Sequence, residues 1–233
     1  MCGRYVLAMQ QKKAERAFNL SRTNWEFEVR YNVAPTDNVP VVRMYHGERV
    51  GTMMRWGLVP WFANGQPPKY STINARVESL ATAPAFRGPW ERGRRCILPA
   101  SGFYEWHVDE NGRKQPFFIH LADQEVFGFA GLYDRSVGPD GTDIRSCTLI
   151  TMPANELLSR IHNSKRRMPA ILRVENHEAW LTGTLDEARA ALVPYPSDLM
   201  VAYPIGPRVN STKNDDASLI EPLREQAADQ DAG

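Results

Sequence analysis

The chain has 233 residues, 42 % hydrophobic and 24 % charged, with no apolar run near the roughly 18 residues that span a bilayer and no basic-then-apolar leader. This composition predicts one soluble domain with a sizeable core, at home in the cytoplasm or nucleoid, and a monomer by default. Three widely spaced cysteines, Cys2, Cys96 and Cys147, with no CxxC pair, argue against a disulfide framework and a structural zinc site; the chemistry read below calls for no metal or organic cofactor. The net charge of +1 hides a division. Residues 1–213 carry 27 bases against 21 acids, while from Asn214 onward six acids face only Arg224. A body at +6 permits a polyanionic partner.

In chain order, MQQKKAERAFNL (Met9 to Leu20) reads as a short amphipathic helix with Met9, Ala14, Ala17 and Phe18 on one face. YNVAPTDN reads as a turn-rich loop, and VPVVRMY with RVGTMMRWGLV as a β-hairpin about His46-Gly47-Glu48. RRCILPASGFYEWHV, KQPFFIHLA and EVFGFAGLYD are strand-like runs, the first two separated at Asn111-Gly112. CTLITMP is a further strand and ANELLSRI a short helix capped from Asn155 or Thr151. NHEAWL and LDEARAAL are helical, the second capped from Thr184, and DLMVAYPIG is a last strand. Strands not separated by regular helices predict an α+β domain, residues 1–221, around a mostly antiparallel, barrel-like sheet with short flanking helices. Residues 222–233 read as a disordered polar tail.

The chemistry starts at MCGRY. Removal of Met1 would leave Cys2 with an amine and a thiol on one residue. An α-amine with a reference pKa of about 8 attacks aldehydes to give imines, and the neighbouring thiol can close a thiazolidine ring. Four other segments have compositions odd for plain core. In STINARVES, Asn74 can orient a nucleophile and Arg76 grip a phosphate, as against a turn Asn beside a solvated Arg. In FYEW, Glu105 lies among aromatics, where desolvation would tune it for proton shuttling; simple alternation would instead put it in solvent. In SRIHNSKRRMPAIL, His162 can act as acid or base ahead of Lys165, Arg166 and Arg167, or merely cap a helix before a solvated basic loop. In RWGLVPWF, Trp56 reads as core and Trp61 as a ring able to stack on unpaired bases.

MCGRY, YNVAPT, RWGLVPWF, INAR, RRCILPASGFYEW, AGLY, the IH…RMPAIL block and VNSTKNDD occur in that order. Together, from Cys2 to about Ile220, they resemble the SOS-response-associated peptidase (SRAP) family, which includes sensors of abasic sites in single-stranded DNA. The resemblance implies a covalent thiazolidine crosslink between Cys2, exposed by loss of Met1, and the ring-opened sugar. It assigns Asn74 to positioning the nucleophile, Glu105 to managing protons, and His162 to ring opening and reversal. Arg4, Arg76 and Arg167 fall where family arginines contact the DNA backbone, and the Pro60-Trp61 loop where duplex parts from single strand, so junctions are possible substrates. Here Asn163 to Arg166 separate His162 from Arg167, where the family often has one residue, so Lys165 or Arg166 can take the phosphate contact instead. Two other readings stay open: an N-terminal-nucleophile cysteine peptidase or autopeptidase, and a non-catalytic single-strand binder.

Overall fold

Strand β1 (Tyr5–Leu7) has no exposed side chain and leads into α1 (Gln11–Ala17). The computed structural model describes residues 2–223, so Met1 and all of the expected polar tail beyond Leu223 lie outside the described residues. Helix α1 is shorter than its apolar pattern predicts because Asn19 adopts φ 50, a left-handed stop that Asn tolerates. Strands β2 (Arg22–Asn24) and β3 (Arg30–Val33) follow. The second corrects the reading of YNVAPTDN as all loop: Tyr31, Asn32 and Val33 are extended, and the turn begins at Ala34. An Asn is tolerated in that strand because its side-chain NH₂ finds the carbonyls of Ser211 at 3.0 Å and Asn214 at 2.8 Å.

The expected hairpin is β4 (Asn38–Tyr45) and β5 (Glu48–Trp56), closed by His46 and Gly47, both at positive φ as a type I′ turn requires. Next come β6 (Asn74–Arg76) and α2 (Pro84–Glu91), a helix the two prolines and one glycine of its sequence conceal. Strands β7 (Arg95–Ala100) and β8 (Gly102–Val108) divide the run read as one strand. The break is Ser101, whose N–H donates to Val6 O at 2.9 Å and whose Oγ accepts from Ala8 N at 2.7 Å. β9 (Lys114–Leu121), β10 (Phe127–Val137) and β11 (Asp143–Pro153) complete the main strands. α3 (Glu156–Ile161) is capped by Asn155, and short strands β12 (Arg167–Pro169) and β13 (Ile171–Leu172) follow. α4 (His177–Thr182), α5 (Leu185–Ala190) with its Thr184–Glu187 capping box, and β14 (Met200–Pro204) end the fold.

Strands β11, β10, β7, β4 and β5 form a closed five-stranded barrel, because β5 returns to β11 in parallel register at Cys147↔Trp56. Tyr5, Trp56 and Phe129 fill it, with ring centroids 5.3 and 5.9 Å from Tyr5. Trp56 is fully buried, as its hairpin setting predicts. A second sheet, ordered β14-β9-β8-β1-β3, packs against it. Beyond its pairing with β5, the same edge of the barrel takes β6 in parallel at Leu149↔Asn74. At that end β10 and β11 splay apart and admit β12 and β13. The expected antiparallel barrel with short helices is therefore present, with parallel pairs only where β2, β5 and β6 meet their partners. Among the described residues no helix is long and apolar enough to cross a membrane.

Candidate functional site

The splayed end of the barrel gathers side chains from four distant parts of the chain. Cys2 is held there by β1, which pairs with β8 at Tyr5↔Phe103. Its carbonyl accepts a hydrogen bond from Asn74 Nδ2 at 2.8 Å, and its Sγ lies 3.6 Å from Arg4 O. Cys2 is fully buried, because β1 runs directly into the core. Glu105 is 2 % exposed. It follows Phe103 on the barrel-facing side of β8, while Tyr104 and Trp106 cover a second apolar cluster on the other face. Both faces of β8 are covered, so alternation does not send Glu105 to solvent.

His162 terminates α3 and is also buried. Asn163 fastens the following loop to β8, donating to Val108 O at 2.8 Å and accepting from Val108 N at 3.1 Å. Next to that clasp, His162 Nδ1 stands 3.8 Å from Glu105 Oε1. Nδ1 also lies 2.9 Å from Arg167 O. A carbonyl only accepts, so Nδ1 bears the proton in the neutral ring and Nε2 holds the lone pair.

Burial sets the protonation states. It raises the Glu105 carboxyl to a pKa of about 7, with Lys165 pulling the other way. Burial lowers the His162 pKa, so the ring is neutral at physiological pH. The Cys2 thiol is pushed well above its usual range, first by burial and then by the Glu105 carboxylate. The site thus holds a neutral thiol, a carboxyl group whose pKa is raised toward neutrality and a neutral imidazole with its proton on Nδ1.

A cavity of about 450 Å³ opens beside them, lined by Glu105, Trp106, Lys114, His162, Lys165 and Asn210 among others. Lys114 and Asn210 are members that the sequence reading missed. Asn210 belongs to the VNSTKNDD block, whose order in the chain was recognisable though its role was not; it accepts from Trp106 Nε1 at 2.9 Å. Lys114 gave no signal.

The other expected residues divide. Lys165 lines the cavity, Arg166, at φ 48, is exposed next to it in the chain, and Arg76 is exposed at the end of β6. Arg167 turns away: its guanidinium grips Glu78 at 2.5 and 3.0 Å and donates to Thr151 O at 2.6 Å. Arg4 donates to Asn32 Oδ1 at 3.0 Å and Val209 O at 2.9 Å, bracing the C-terminal segment. Trp61 is 56 % exposed, edge-on to exposed Phe62, on a loop whose N–H binds Asp134 Oδ2 at 3.0 Å. Among the described residues, no three His, Cys, Asp or Glu side chains are placed to hold a metal ion.

A buried Cys2 beside Asn74, Glu105 and His162 coincides with a family match over nearly the whole chain. The model of the SOS response associated peptidase family matches residues 1–212. The chain belongs to that family. It is 39 % identical over 227 residues to abasic site processing protein YoqW of Bacillus subtilis, covering 95 % of this chain and 99 % of the relative. It is 31 % identical over 266 residues to abasic site processing protein HMCES of Gallus gallus, covering 96 % and 78 %. Among solved structures, a protein from Bacteroides thetaiotaomicron superposes with a TM-score of 0.86 at 26 % identity, covering 96 % of this chain and all of that one. The chain therefore shares its fold with that solved structure.

Proposed function

We propose that this protein captures abasic sites in single-stranded DNA as a covalent adduct on Cys2. Once Met1 is removed, the Cys2 amine attacks C1′ of the ring-opened deoxyribose, and water leaves as the imine forms. The thiol sulfur then adds to the imine carbon while its proton passes to nitrogen, closing a thiazolidine. The reading rests on one observation: Asn74 binds the backbone of Cys2, the Cys2 thiol feels the Glu105 carboxylate, and Glu105 stands beside His162 at the wall of an open cavity, though the four are far apart in sequence. Asn74 fixes the backbone of Cys2. Glu105, its carboxyl raised by burial, can take a proton from the ammonium and return one to the departing hydroxyl. His162 Nε2 serves proton transfer at the sugar ring oxygen during opening and reversal.

Lys165 and Lys114 supply positive charge at the cavity for flanking phosphates, and the exposed Arg166 and Arg76 can add to it. The exposed rings of Trp61 and Phe62 favour unpaired bases and suit a single-strand junction. Peptide hydrolysis by a Cys2 thiolate is the weaker reading, because it calls for a lowered thiol pKa and this thiol is raised. A strand binder without covalent chemistry leaves the convergence of buried Glu105 and His162 on Cys2 without a purpose.

Intact-mass spectrometry after mixing with abasic single-stranded DNA tests the proposal. Wild type should lack Met1 and form a heat-stable adduct one water lighter than the sum of the two reactants. Cys2→Ser, whose oxazolidine is labile, should not. No adduct with wild type, or an equally durable one with Cys2→Ser, would overturn the mechanism.

A further inference from the structure

At the end of the barrel where β4 turns into β5 and β10 into β11, a second cavity of about 730 Å³ opens. It lies away from the splayed end that holds Cys2. Arg22, Arg43, Arg94, Arg135 and Arg145 line it. Four of them have carboxylate partners: Arg94 pairs with Asp134, Arg135 and Arg145 share Asp143, and Arg22 reaches Glu48 at 3.4 Å. Five guanidiniums against three carboxylates leave an excess of two positive charges.

Arg43 carries much of that excess. It lies opposite Cys96 in the barrel wall, and its guanidinium sits 4.8 Å from the ring centre of Tyr45 and 5.5 Å from that of Tyr133. Stacking on both rings holds the group in place. Nη1 donates to Met44 O at 3.3 Å, but Nε is buried and has no hydrogen-bond partner among the described residues. The half-buried guanidinium faces the cavity with its Nε out of water, and no described carboxylate meets it, so an anion entering the cavity would find an unneutralised cation. A planar, pre-oriented guanidinium matches the oxygens of a phosphate.

We propose that this mouth of the barrel is a phosphate-binding site, separate from the cavity lined by Glu105 and His162, that accepts a nucleotide phosphate. The phosphate comes either from a DNA strand or from a free nucleotide. Asp134 links the site to the exposed rings, since it binds Arg94 through Oδ1 and the Trp61 N–H through Oδ2. A strand stacked on Trp61 would have this mouth beside it. The inference stands on the charge and geometry of the mouth and is independent of the chemistry proposed for Cys2.

The test uses the full chain, titrated with inorganic phosphate and with dAMP by calorimetry. In parallel, fluorescence anisotropy follows an intact strand of about 16 nucleotides across a salt series. Arg43→Met, which keeps the stem between the two tyrosines, should weaken phosphate and dAMP binding at least about tenfold. The exposed rim pair Arg22→Ala/Arg145→Ala should do the same, and it decides the matter if Arg43→Met does not fold. If the site takes a strand, the slope of log K against log salt should also fall by about 0.7 for each phosphate left without its arginine. Weakened phosphate binding with an unchanged slope assigns the site to a free nucleotide. Unchanged phosphate and dAMP affinities in the rim variant, with an unchanged slope, overturn the proposal. Adduct formation on an abasic strand of about 4 nucleotides, too short to reach both cavities, should be unaffected by either variant.

Discussion

Glu105 has opposite consequences for activity and for stability, and both follow from its burial. With a folded pKa of about 7 against an ordinary value near 4.5, it keeps its proton through a window in which the unfolded chain has released it. The folded state then binds more protons, so stability falls as pH rises from about 4.5 to 7. Glu105→Gln removes that cost. It should exceed wild type by up to about 3 kcal/mol at pH 8 and match it at pH 4, measured by urea unfolding at both pH values. The same substitution should slow adduct formation by about 10²-fold or more, because the amide cannot exchange protons. A variant that is neither stabilised at pH 8 nor slowed would mean that Glu105 ionises freely and has no part in the proton transfers.

At the scale of single elements, α4 carries a similar sensitivity of opposite sign. His177 begins that helix, stacks on Phe18 at 5.4 Å between ring centres, and leaves Nε2 buried without a partner among the described residues. Burial, helped by Arg49, lowers its pKa to about 4. A depressed folded pKa gives stability that is present above about 6.5 and lost as pH falls toward 4. His177→Phe keeps the stack and removes the titration, so its thermal midpoint should drop less than that of wild type between pH 6.5 and 4. An equal drop would show that acid sensitivity arises elsewhere. Much at this scale was legible: the β4–β5 hairpin from His46-Gly47, the Asn155 cap and the Thr184 cap are local codes that operate wherever the chain goes. Where the reading failed, the deciding contact was remote. Ser101 breaks a continuous apolar run because Val6 and Ala8 bind it, and Tyr31 to Val33 are extended because β1 pairs with them.

Over the whole molecule, the acidic C-terminal excess proves to include structural charges. Asp215 binds Arg30 and the backbone N–H groups of Tyr31 and Asn32, and Asp216 pairs with Arg208 at 2.8 Å. Together with Arg4 and Asn32, these contacts fold the segment around residues 207–220 against β3 and place Asn210 at the rim of the cavity that Glu105 and His162 line. Asn32 is the centre of that clamp, fully buried, with its amide spent on Arg4 and on three carbonyls. Asn32→Ala should cost about 3 kcal/mol in urea unfolding, because it strands several buried partners at once. A loss under about 1 kcal/mol would show that Asp215 holds the segment without it.

The sequence alone determined the chemistry available: a cysteine behind Met1, an Asn, a Glu among aromatics, a His before a basic loop, and strands short and close enough to close a barrel. These are properties of residue type and local spacing, which need no knowledge of distant partners. Tertiary structure decided what each group is. It buried Cys2, raised Glu105 by removing its water, fixed the tautomer of His162 through Arg167 O, and spent Arg4 and Arg167 on internal acceptors. Solvation and partnership depend on which remote segments arrive at a site, and only the folded chain brings them there.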